Sequence, residues 1–297
     1  MSHAQSDRTS STVLITGATG KVGRRLIPIL TRRGVTVRAA NRSPVAPRAG
    51  IESVRFEWKD PGTYESARKG VDSIFLVASS IPGPEHAEYI STLLSGATGS
   101  GVKRVVFLST FGIGEAPPEE PLRRIELAVE LSGVPYTILR PVAFMQNFSE
   151  WHPLYVAEDI RLRDEIAHPG GEGRVSYVSS EDIAAVAAAA LTDDAHAGKA
   201  YTLVGPEPMT LEQVADQISW VTGRQIKYVE TDHRQLYAAL LAEQTAPATA
   251  EHNSQLHAFA FSSGMMGVVN DEILTVTGRP PVSFGEFAAG AAAAWRR

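Results

Sequence analysis

An apolar run, Val13-Leu14-Ile15, leads directly into Thr16-Gly17-Ala18-Thr19-Gly20-Lys21-Val22-Gly23, and then into a helical pattern carrying Leu26, Ile27 and Leu30. Strand, glycine turn and helix in this order limit what the chain can fold into, because each glycine has its own steric role. Gly17 permits a tight turn. Gly20 removes a side chain where backbone must approach an anion, and Gly23 lets the helix pack close to the strand. The first N–H groups of the helix lack intrahelical partners and lie at the positive end of its dipole, which suits a pyrophosphate. The segment predicts contacts from Gly17, Thr19, Gly20, Lys21, Val22 and Gly23.

The remaining first half repeats the rhythm. Strands are expected at Thr12–Thr16, Thr36–Ala40, Ser53–Trp58, Ser73–Ala78, Arg104–Thr110 and Thr137–Arg140. Several are continuous apolar or β-branched runs, as in parallel strands buried on both faces. Helical patterns at Lys21–Arg33, Tyr64–Lys69, Glu85–Ser100 and Leu122–Ser132 separate most of them, closed by Gly34, Gly70, Gly101 and Gly133. This predicts an α/β fold, a Rossmann-type doubly wound parallel sheet with right-handed crossovers. After Pro141 the rhythm breaks. A strand is expected near Val175–Val178, helices at Glu181–Leu191 and Leu211–Thr222, strands at Ala200–Val204 and Lys227–Val229, and mostly helix from His233 on. The expected organisation is a loose polar leader over 1–11, a dinucleotide-binding core over 12–143, and a smaller α-rich substrate lobe over 144–297, interleaved with the core.

The 297 residues, 43% hydrophobic and 21% charged, suit a globular chain of this size. A net charge of −5 gives no electrostatic footprint for nucleic acid. The absence of cysteine excludes disulfides, thiol nucleophiles and cysteine metal ligands, and fits a cytoplasmic location. No apolar run approaches the roughly 20 residues that span a bilayer, so no membrane association is expected. No metal site is expected: His252 and His257 do not share a helical face, and His86 reads as part of an exposed polar face with Glu85 and Glu88.

The end of the second strand decides which dinucleotide fits. An acid there would bond a ribose hydroxyl; this chain has Asn41-Arg42, and the planar fork of Arg42 suits a 2′-phosphate. NADP(H) is therefore expected over NAD(H), with Arg38 the weaker alternative to Arg42. Asp60 is placed to accept from the adenine amino group. Val77, Ala78 and Ser79 end the fourth strand, Ser109 and Thr110 the fifth, and Pro141 the sixth; all are expected along the dinucleotide.

Together these residues resemble the NmrA-like family of atypical short-chain dehydrogenase/reductases. The resemblance rests on the Thr16–Gly23 turn, Gly70-Val71-Asp72, Gly101-Val102-Lys103-Arg104-Val105-Val106, the run from Ser132 to Pro141, and Phe144-Met145-Gln146-Asn147-Phe148. It implies an NAD(P)H-dependent reductase of the quinone or triphenylmethane-dye type, or a regulator that binds dinucleotide without turnover. The Tyr-x-x-x-Lys pair of typical short-chain dehydrogenases is missing; it would fall near Pro118 and Leu122. Where some relatives carry a lysine before Ser132, this chain has Glu126-Leu127, and Trp58 stands where relatives often have Asp.

Without that acid pair, ketone reduction is harder to explain than hydride transfer to a quinone or delocalised cation, whose own π-system takes up the charge. The expected function is hydride transfer from NADPH to a conjugated small molecule; the alternatives are a redox-sensing regulator and a non-redox cyclase or isomerase. Phe111, Phe144, Asn147, Phe148 and Trp151 are the expected substrate contacts. The spacing of Phe148, Trp151 and Tyr155 equally suits the buried stripe of a helix. His152 is a candidate acid, and equally a structural histidine. The expected partner is a small molecule, with the chain a monomer or homodimer.

Overall fold

The computed structural model describes residues 11–43, 46–78, 82–154 and 156–297. The expected leader lies outside them apart from Ser11. Along the chain the elements are β1 (Thr12–Ile15), α1 (Gly23–Arg32), β2 (Thr36–Asn41), β3 (Ile51–Arg55), α2 (Tyr64–Arg68), β4 (Ser73–Val77), α3 (His86–Ser95), β5 (Arg104–Leu108), α4 (Pro121–Glu130) and β6 (Tyr136–Pro141). Then follow α5 (Val156–Arg163), β7 (Glu165–His168), α6 (Ser180–Thr192), β8 (Lys199–Leu203), α7 (Leu211–Thr222), β9 (Lys227–Glu230), α8 (His233–Ala242), α9 (Pro247–Ser262), α10 (Glu272–Thr277) and α11 (Phe284–Ala291).

Seven strands form one sheet in the order β3-β2-β1-β4-β5-β6-β8. The ladders from β3 to β6 are parallel, with Val13 opposite both Val37 and Ser73. The order runs outward from β1 in one direction and from β4 in the other. The crevice between the carboxyl ends of β1 and β4 is thus the switch point where such sheets take ligands. On one face of the sheet Leu14, Ile74, Leu76, Val105 and Phe107 pack with Ile90, Leu93 and Leu94 of α3 and Ile125 and Val129 of α4.

The chain divides into two compact units, Met1–Leu139 with Ala184–Tyr201, and Arg140–Ile183 with Thr202–Arg297. In the first, the returning segment is tied in by Leu191, whose carbonyl accepts from Ser73 Oγ (3.2 Å) and Arg104 (2.7 Å). In the second, β7 and β9 form a two-stranded parallel sheet. Thr210 and Gln213 cap α7 reciprocally, as Ser283 and Glu286 cap α11. The core of this unit brings Phe148, Tyr177, Phe284 and Trp295 together, and the Trp295 indole donates to the Phe148 carbonyl at 2.7 Å.

Several expectations are corrected. The third strand is Ile51–Arg55, not Ser53–Trp58. Phe56 leaves the sheet to stack on Tyr64 at 5.4 Å, with Trp58 edge-on to both rings. Val175–Val178 is no strand but two single bridges to different partners, Val175 to Met209 and Val178 to Phe144. Glu165–His168, unanticipated because it is half polar, is a strand that alternates buried Ile166 and His168 with more open neighbours. His86 is buried, its Nδ1 accepting from the Gly83 N–H at 3.0 Å. Among the described residues no helix is long and apolar enough to cross a membrane.

Candidate functional site

At the carboxyl end of β1 the glycines are required by geometry. Gly17 has a φ of 69°, a conformation side chains disfavour. A Cβ on Gly23 would lie 2.3 Å from the Gly17 carbonyl oxygen and 2.9 Å from Ala18 Cα, both backbone atoms with no room to yield. A Cβ on Gly20 would come within 3.2 Å of that same oxygen. Thr19 and Gly20 are exposed, Lys21 half-buried and Val22 buried. The first turn of α1 holds no acidic residue, and its N-cap, Val22, supplies no side-chain bond. The backbone is therefore brought close to an open edge without a competing carboxylate, which fits a diphosphate. Thr16 fixes the width of this crevice: its Oγ1 accepts from the Val77 N–H at 2.7 Å, tying β1 to β4.

At the end of β2, Asn41 turns its amide inward to the Ala39 carbonyl (3.2 Å) and Ser53 Oγ (3.3 Å). Arg42 is exposed. Arg38, the alternative to Arg42, is engaged by Glu52 at 2.8 Å and by the carbonyls of Ala67 and Lys69. Asp60 accepts from the Gly62 N–H (3.2 Å) and pairs with Arg55 (3.2 Å), so its carboxylate already organises the turn after β3. Beside it Tyr64 donates to the Trp58 carbonyl, and burial, with Tyr89 and the nearby acids, pushes its pKa up to about 12. Val77 and Ala78 are half-buried; Ser79 lies outside the described residues.

Ser109 follows β5. Its N–H donates to the Leu139 carbonyl (2.8 Å) and its hydroxyl to Glu126 Oε1 (2.7 Å). Glu126, on α4, has no exposed surface and pairs with Arg123 at 2.8 Å; Arg123 reaches on to Glu130 at 3.0 Å. Glu130, and then Glu126, raise the Arg123 pKa against the effect of burial. Thr110 and Phe111, next along the chain, are half-buried.

In the second unit Pro141 is buried and Phe144 and Asn147 are half-buried. Gln146 is enclosed: its oxygen accepts from the Ser180 N–H (2.7 Å) and its amide donates to Ser179 Oγ (3.2 Å). Phe148 is 4% exposed and Trp151 58%, so the two do not share one buried helical stripe. Phe148 belongs to the core, edge-on to Tyr177 and Phe284. Tyr155 lies outside the described residues. His152 is half-buried, its Nδ1 accepting from the Leu154 N–H at 3.2 Å, and its ring lies 6.4 Å from His257. His257 Nε2 in turn meets His168 Nε2 at 3.0 Å. One proton serves that contact, since two facing N–H groups would repel. Burial, then His257 and His152, hold the His168 pKa well below the usual histidine value; burial lowers His257 to about 4. Among the described residues no group of three or more such side chains is placed to hold a metal ion.

Three features of this region escaped the sequence reading. Thr16 stands in the glycine motif without an evident role, and Glu126 registers only as a departure from the family pattern. The His168–His257 contact joins residues that share no motif or spacing.

A profile of the NmrA-like family matches residues 9–276. The NAD(P)H azoreductase of Xenophilus azovorans is 32% identical over 293 residues, covering 95% of this chain and 99% of that one. A (4-alkanoyl-5-oxo-2,5-dihydrofuran-3-yl)methyl phosphate reductase of Streptomyces griseus is 34% identical, covering 93% and 96%. Among solved structures, an NADPH-dependent quinone oxidoreductase of Escherichia coli, complexed with NADPH, superposes with a TM-score of 0.75 at 25% identity, covering 94% of this chain and 99% of that one.

Proposed function

Since this chain belongs to the NmrA-like family, we propose that it is an NAD(P)H-dependent oxidoreductase that reduces a quinone-like or otherwise conjugated small molecule, with NADPH as the preferred donor. The observation that carries the reading is the Gly17–Gly23 turn, whose close backbone approach leaves no room for a Cβ at Gly23. The named substrates of the relatives, an azo compound, a quinone and an oxo-dihydrofuran, are all conjugated acceptors.

Bound NADPH supplies a hydride, and the acceptor completes its two-electron reduction by taking one proton from water. The roles left to the protein are binding and orientation. Gly17, Thr19, Gly20, Lys21, Val22 and Gly23 hold the diphosphate; Arg42 pairs with the 2′-phosphate beside Asn41, and Asp60 faces the adenine. Val77 and Ala78 border the adenosine side, and Ser109, Thr110 and Pro141 the nicotinamide side. Phe144, Asn147 and Trp151 of the second unit contact the acceptor, with Phe148 as a packed support. His152 is the one side chain proposed as an alternative to water as the proton source, in place of the missing Tyr-x-x-x-Lys pair.

The test is consumption of NADPH, followed by its absorbance, against a panel of quinones, azo dyes and triphenylmethane dyes. Turnover with at least one conjugated acceptor, and a lower KM for NADPH than for NADH, is expected. Tight NADPH binding with no turnover across the panel would replace this reading by that of a dinucleotide-binding regulator. Turnover with an unchanged cofactor spectrum would replace it by a cyclase or isomerase.

A further inference from the structure

A carboxylate with no surface exposure stands behind the end of β5. Burying Glu126 is costly, and an apolar side chain of similar volume would serve the α4 core better. The chain instead surrounds this charge with donors, Ser109 Oγ at 2.7 Å and Arg123 at 2.8 Å, and Arg123 is itself braced by Glu130 at 3.0 Å. The far side of this series is a strand-end serine whose backbone is already fixed, by its N–H bond to the Leu139 carbonyl at 2.8 Å.

The geometry points to Glu126 as a positioning residue that commits the Ser109 proton inward and so makes this hydroxyl an acceptor toward bound ligand. A hydroxyl has one proton and two lone pairs, while an ionised carboxylate only accepts. Once Ser109 donates to Glu126, it has only lone pairs to offer at the strand end. The chemical group that matches them is an N–H donor. This inference rests on the dinucleotide reading above, in which the fifth strand end borders the nicotinamide. There the donor is the carboxamide N–H, and the Glu126–Ser109 pair selects for a pyridine ring that bears an amide.

Calorimetric binding without turnover tests this, using NADPH, its 3-acetylpyridine analogue, which has a carbonyl but no N–H, and 2′-phospho-ADP-ribose, which lacks the ring altogether. The wild-type protein is expected to favour NADPH over the acetylpyridine analogue by about fivefold to tenfold, the span of one net hydrogen bond. In Glu126→Gln the side-chain amide can donate to Ser109 and release its proton outward. That preference should then collapse to within about twofold, with affinity for 2′-phospho-ADP-ribose unchanged. Ser109→Ala leaves the Glu126–Arg123 pair in place and should abolish the same preference. If Glu126→Gln does not fold, Ser109→Ala decides alone. A variant that keeps the wild-type preference overturns the inference while leaving the dinucleotide reading intact. Failure of the wild-type protein to bind either NADPH or 2′-phospho-ADP-ribose overturns the dinucleotide reading instead.

Discussion

The polar groups at the strand ends of the first unit and those in the interior of the second are paired differently. At the strand ends of the first, Thr19, Gly20 and Arg42 face outward, and the polar atoms behind them, Thr16 Oγ1 and the Ser109 hydroxyl, are fully directed by partners. In the second, polar atoms are enclosed without partners among the described residues: His168 Nδ1, Ser176 Oγ, Tyr177 OH and Thr231 Oγ1. An open edge backed by satisfied groups is pre-arranged for a ligand, because nothing has to reorganise when the ligand arrives. A closed interior with unsatisfied groups instead makes the fold sensitive to protonation and to packing. Substitutions in the first unit should therefore act on binding, and those in the second on stability.

The largest effect is expected from Gly23→Val. The added side chain meets backbone at 2.3 Å, so NADPH binding measured by calorimetry should fall by at least roughly 100-fold, with a stability loss of about 1–3 kcal/mol. Undiminished binding would remove the glycine turn from the site. In the second unit, Phe148→Ala should lower unfolding free energy in urea by about 3–5 kcal/mol. Trp151→Ala should change it by no more than about 0.5 kcal/mol, since most of that ring is open. Equal losses for the two would erase the contrast between them.

Arg42→Ala should weaken NADPH binding by about tenfold or more, the scale of a charge-assisted hydrogen bond, and leave NADH nearly untouched. An equal loss for both coenzymes would move the 2′-phosphate elsewhere.

The last effect concerns pH. His168 and His257 have native values below the ordinary 6.5, so on acidification from about 6.5 toward about 4 the unfolded chain takes up protons that the fold refuses. Stability is therefore present above the ordinary histidine value and lost as pH falls through this window. Denaturation midpoints of His257→Gln should fall less steeply over the same range. A slope identical to that of the wild-type protein would show that the buried histidine contact does not govern acid sensitivity.

The glycine turn and the parallel sheet were legible because their signals are local. Apolar runs of strand length and glycines at fixed spacing carry their own steric meaning, and they mark the turn after β1; the crevice between β1 and β4 follows only from the strand order. The capping box at the start of α7 is local in the same sense, with Thr210 three residues from its partner Gln213. The end of β3 was misplaced because Phe56 looks like a strand residue until Tyr64 and Trp58 are beside it. His86 looks exposed in a charged neighbourhood until Gly83 turns back to bond it.

The sequence by itself determined the fold class, the position of the glycine turn and the family. Only the tertiary structure decided that Arg38 is held by Glu52, that Phe148 is core while Trp151 is open, that Glu126 stands behind Ser109, and that His168 meets His257 across 89 positions of chain. The difference is one of range. Backbone sterics and periodicity act between neighbours and are written in residue order. Burial and pairing depend on which distant segments the packed chain brings to the same point, and no local pattern encodes that.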